Sequence, residues 1–114
     1  MAQDWSEWRA FPDPRFHGIL SAPFGPGCYE VRRNDITITE LVCFGMGGHV
    51  ALRMTSLLPT PLGRGTRNNK FKREYIEKHL PQIEYRTLSC TTRTEAADIE
   101  KELKKNRSMY KFPT

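Results

Sequence analysis

The chain has 114 residues, 38% of them hydrophobic and 27% charged, with a formal net charge of +5. These totals are those of a globular chain and not a disordered one, and the length fits one domain with one modest core. No apolar stretch is long enough to span a bilayer, and the start, Met1-Ala2-Gln3-Asp4-Trp5-Ser6-Glu7-Trp8, does not read as a signal peptide. Three widely spaced cysteines, Cys28, Cys43 and Cys90, fit reduced thiols in a cytoplasmic protein better than a disulfide frame or a zinc site.

The first 25 residues combine Trp5, Trp8, Phe11, Phe16 and Phe24 with Pro12, Pro14 and Pro23. Proline at this density argues against a long helix or an inner strand. Residues 1–25 are therefore expected as an extended aromatic arm packed on a main body of residues 26–114, with a short helical turn over Trp5–Arg9. A lid or edge cover is the plain role for such an arm, and a stacking platform for bases is the sharper one.

Within the body, Cys28–Arg33 alternates as a strand, Asn34-Asp35 supplies turn chemistry, and Ile36–Phe44 continues as a β-branched second strand. Gly45, Gly47 and Gly48 end that strand. His49–Leu58 has helical spacing, with Val50, Met54 and Leu57 on one face. The run from Pro59 to Gly65 breaks the helix, and Arg67-Asn68-Asn69-Lys70 leads into a second helix through Leu80, stopped by Pro81.

Ile83–Cys90 reads as a third strand. Thr92 and Glu95 form a capping-box signature for a last helix reaching about Asn106, with Ala96, Ile99 and Leu103 as its buried stripe. The expected class is α+β: a small three-stranded mixed or antiparallel sheet with flanking helices, in the order ββααβα.

Positive charge is concentrated in two segments. Arg64, Arg67, Lys70, Lys72, Arg73 and Lys78 face only Glu74 and Glu77, and Lys101, Lys104, Lys105, Arg107 and Lys111 face only Glu102. Two basic segments on a slightly acidic background suit a polyanion, although a solubilising surface gives the same pattern.

Four side chains carry possible chemistry. Glu100 lies at the rim of the last helix's apolar stripe, where it is either an oxygen ligand for a hard cation or a surface glutamate paired with Lys104 one turn on. Arg53 and His49 share a helix face beside the glycine-rich stretch. A guanidinium there suits a phosphate, because its planar donors bind two oxygens at once. The plainer roles are a surface salt bridge for Arg53 and a helix-start polar residue for His49. Cys43 is either a small buried residue or a weak base.

Gly27-Cys28-Tyr29 on the first strand, Cys43-Phe44-Gly45 on the second, Arg53 eight residues later, and Glu100 after Thr94-Glu95-Ala96-Ala97 are in a suggestive order. Together they resemble the GIY-YIG nuclease family, most of all the amino-terminal nuclease domain of bacterial excision-repair proteins and small single-domain relatives. The likeness runs from about Gly25 to Phe112.

It implies a DNA-binding endonuclease that hydrolyses a phosphodiester with one Mg²⁺ or Mn²⁺. The resemblance makes Glu100 the metal ligand, Arg53 the support for charge on the phosphoryl oxygens, and Tyr29 the residue that orients or deprotonates the water. Cys43 and His49 would be auxiliary, and Arg64, Arg67, Lys70, Lys72 and Arg73 would contact DNA through its phosphates, by structure rather than sequence. A protein partner would then supply further specificity.

Cys43 stands where the second motif carries tyrosine, and the family's late asparagine has no clear counterpart, since Asn106 comes early. These departures leave open a nucleic-acid-binding module without catalysis, and the arm and basic segments leave open a protein-interaction domain that meets an acidic partner.

Overall fold

The central strand, β2 (Gly27–Asn34), hydrogen-bonds antiparallel to a strand on each side, β3 (Thr39–Gly47) and β4 (Ile83–Ser89). The structure is a computed structural model and describes residues 5–12, 22–54 and 70–112. A further strand, β1 (Arg9–Ala10), pairs antiparallel with β4, so the sheet has four strands in the order β1-β4-β2-β3.

The expected three-stranded sheet is therefore corrected, and the expected ββααβα order gains a strand at its start. The cause lies in the arm, which forms no helical turn over Trp5–Arg9. Instead, the Ser6 amide donates to the Thr87 carbonyl at 2.8 Å and the Phe11 amide to the Ile83 carbonyl at 3.0 Å. The proline-free run from Trp5 to Phe11 thus satisfies the open edge of β4, and Pro12 follows it at an edge position, where a missing amide costs no ladder bond.

The hairpin turn is longer than its residue types suggest. The Asp35 carboxylate accepts from the Thr37 amide at 2.9 Å, the Ile38 amide at 3.0 Å and the Thr37 hydroxyl at 3.0 Å. This side-chain turn withholds Ile36–Ile38 from the ladder. β3 consequently starts at Thr39 and continues through Gly45 to Gly47, where an end near Phe44 was expected.

After β3, α1 (Val50–Met54) is described and residues 55–69 are not, so the expected helix end at Leu58, the loop 59–65, Arg64 and Arg67 lie outside the described residues. α2 (Lys70–Lys78) leads into a 3₁₀ turn over Leu80–Gln82 that holds Pro81 instead of ending before it. Proline suits the first turn of a helix, and Pro81, second in this one, sits where its absent N–H has no intrahelical partner to lose. α3 (Arg93–Lys104) starts on Thr92, whose hydroxyl accepts the Glu95 amide at 3.1 Å.

Strand alternation divides the core between the two faces of the sheet. On one face, Tyr29, Val31, Cys43, Ile83 and Tyr85 pack with Phe11, Val50, Met54, Ile76 and Leu80, which seats α1 and α2. On the other, Cys28 and Leu88 pack with Ala96 and Ile99 of α3, and with Cys90.

The second face also carries a charged strip. Glu30 lies opposite Arg86, and Arg32 opposite Glu84. Arg86 donates to Glu30 at 2.7 Å through Nε, and Arg32 to Glu84 at 2.8 Å, while the Tyr110 hydroxyl also donates to Glu30. Trp8 covers the Arg32 guanidinium at 4.1 Å, and Trp5 and Trp8 lie 4.7 and 4.8 Å from that of Arg86. The arm's indoles roof the strip with cation–π contacts, and Glu30 is buried beneath a half-buried Arg86. Among the described residues no helix is long and apolar enough to cross a membrane.

Candidate functional site

Tyr29 sits in mid-β2 and is only 4% exposed. Its register partner on β3 is Gly45, and its ring lies over that residue: a Cβ there would be 2.5 Å from the phenol oxygen. Gly45 is thus required by the close approach of the ring.

Burial pushes the Tyr29 phenol well above the ordinary tyrosine value. The neighbouring Cys43 adds to the shift, the Arg53 charge opposes it and the Glu100 charge adds again. Arg53 and Glu100 are therefore both close enough to act on the ionisation of Tyr29, although they approach from different faces of the sheet.

Arg53 is exposed on α1, one turn after His49, whose carbonyl accepts its amide at 3.0 Å. The stem of Arg53 lies beside Gly47, where an added Cβ would meet its Cβ at 3.3 Å. His49 is exposed, with its ring centroid 5.7 Å from that of Phe24.

Glu100 on α3 keeps 21% of its side chain exposed and lies 3.6 Å from the Lys104 ammonium. The i,i+4 pair expected of a surface glutamate is therefore present, yet the same carboxylate also acts on Tyr29 and Cys28. Its position serves both readings.

Cys43 is buried opposite Val31, on the Tyr29 face. Burial pushes its thiol up to about 11, opposed by the Lys72 charge. The thiol is consequently protonated at neutral pH, as is the Tyr29 phenol. Lys72 and Arg73 lie half-buried on α2, and the side chain of Lys70 lies outside the description. Between Lys72 and Arg73, the described members of the basic set, Lys72 is the one that acts on Cys43.

Arg93 was not singled out from the sequence. It is the first residue of α3, exposed, and its Cδ lies 3.9 Å from where a Cβ on Gly48 would stand. Seven residues separate it from Glu100, which puts the two on one helix face. That spacing was the available signal. Gly47 and Gly48 thereby sit between the Arg53 and Arg93 side chains.

Among the described residues no group of three or more His, Cys, Asp or Glu side chains could hold a metal ion. Glu100 alone suits only a cation that fills most of its coordination shell with water and substrate oxygens, as Mg²⁺ does. No family model, curated protein or solved structure matches this chain.

Proposed function

We propose that this chain binds DNA and hydrolyses a phosphodiester bond with Mg²⁺ or Mn²⁺, in the manner of the GIY-YIG endonucleases that its motifs resemble. One observation supports the reading: the Tyr29 ring crosses Gly45, the Arg53 stem lies beside Gly47, and Arg93 reaches to 3.9 Å of a Cβ position on Gly48. Tyr29, Arg53 and Arg93 thus border the glycines at the end of β3, and Glu100 approaches from α3 on the other face of the sheet.

In this reading Glu100 holds the ion, which would supply Lewis acidity and positive charge at the phosphate. Arg53 and Arg93 neutralise the phosphate oxygens from either side of Gly47-Gly48. The Tyr29 phenol keeps its proton and orients the attacking water as a hydrogen-bond donor. Protein partners would narrow the choice of DNA structure.

Cys43 favours a second reading, in which the same surface binds DNA without cutting it: it is a buried thiol where the second motif of the resembled family carries tyrosine. Single-stranded, duplex, nicked and flap DNA incubated with Mg²⁺ or Mn²⁺, beside a Glu100→Ala variant, separates the two. The hydrolase reading expects wild-type cleavage reduced about a hundredfold or more by the variant. Intact substrates with both proteins would refute it, and retained salt-sensitive binding would then favour the second.

A further inference from the structure

Phe24 is 81% exposed. A single exposed phenylalanine is ordinary on a protein surface. This one is distinguished by its anchorage and its neighbours. The Pro23 carbonyl accepts the Ala51 amide at 2.9 Å and the Gly25 carbonyl accepts the Val50 amide at 3.0 Å. The residues on both sides of Phe24 are thereby tied to the first turn of α1, and the ring is held out from a fixed backbone.

Its neighbour is the exposed imidazole of His49, at 5.7 Å between centroids with the planes inclined by 40°. One helical turn farther is Arg53, and across Gly47-Gly48 is Arg93. An outward aromatic step therefore leads to two guanidinium groups.

We propose that Phe24, with His49 beside it, is a stacking platform for an unpaired nucleobase whose phosphate is neutralised by Arg53 and Arg93, so that the site takes single-stranded DNA. The inference rests on the proposed action on DNA and names the form of the substrate. A π-face accepts any base and guanidinium groups match phosphate, so the two together suit a nucleotide better than an apolar peptide side chain. The net charge of +5 has the complementary sign.

The test measures fluorescence anisotropy without divalent metal, using a short oligothymidylate and an abasic strand of the same length. Wild type is expected to prefer the oligothymidylate. Phe24→Ala should weaken that binding about 5- to 150-fold, the effect of removing one base–aromatic stack, and leave the abasic strand unaffected. Phe24→Trp should retain binding, with its added emission quenched by the bases.

Equal binding of both strands by wild type, or no binding of either, overturns the proposal. So does a Phe24→Ala variant that binds both as wild type does, or that loses both equally. The latter would make the ring a support for the surface or a contact for protein. Cleavage of DNA by a protein that shows no base preference would remove the platform and leave the hydrolase reading standing. Base-dependent binding without cleavage would do the reverse.

Discussion

The Tyr29 ring crosses Gly45 so closely that a Cβ at that position would lie 2.5, 2.6 and 2.7 Å from the phenol oxygen, Cζ and one Cε. Gly45→Ala must therefore move the ring or the strand, and overpacking of this kind costs about 1–3 kcal/mol. Because ring carbons are among the blocked atoms, adding Tyr29→Phe should restore little of the loss. Urea unfolding of the single and double variants checks this, and an unchanged midpoint for Gly45→Ala would show that the ring does not lie there.

Glu30 is buried with its carboxylate held by Arg86 and Tyr110. Arg86→Ala would leave a buried charge short of its main partner, a loss of about 3 kcal/mol. A combined Glu30→Leu and Arg86→Met variant removes both charges and should lose less than Arg86→Ala alone. Thermal melts of the two proteins decide the order, and the reverse order would mean that Arg86 contributes mainly by packing under Trp5 and Trp8.

Alkaline pH should destabilise the fold through its thiols. Burial, followed by the charges of Cys90 and Glu100, raises Cys28 from an ordinary 9.0 to about 12, and burial raises Cys43 to about 11. The folded chain then keeps protons that the unfolded chain releases. This contribution is complete below about pH 9 and disappears as pH climbs through the folded values. Cys43→Val should flatten the fall in melting temperature between about pH 9 and about pH 11, and an equally steep fall would exclude Cys43 as its source.

Arg93 is placed to meet a phosphate across Gly48. If it does, Arg93→Ala should weaken single-stranded DNA binding to a similar degree across sequences. It should also reduce the slope of log affinity against log salt by about 0.7, one phosphate contact on a single strand. Titrations at several salt concentrations give that slope, and an unaltered slope would place Arg93 off the path of the backbone.

The parts legible in the sequence were those determined by local chemistry. Thr92 before Glu95 fixed the start of α3 because a hydroxyl three residues ahead of an amide caps it wherever the helix packs. Ile36–Ile38 resembled a strand by its β-branching, but one aspartate offering oxygens to three donors outweighs that preference. Arg9–Ala10 gave no strand signal, since two residues pair only because the edge of β4, more than seventy positions away, lies open to them. Arg93 escaped notice for a similar reason: its meaning depends on Gly48, which the chain brings to it from another element.

That short pairing also bears on how separate copies of the chain meet. An uncovered outer strand invites a neighbouring molecule to add its own backbone, and the seven residues of β4 would be a long template. By laying Arg9–Ala10 along it, the chain makes β4 an interior strand and leaves, on that side, a border two residues long with Pro12 just beyond. On that side of the sheet, a border so brief offers a second copy few open backbone groups to pair with.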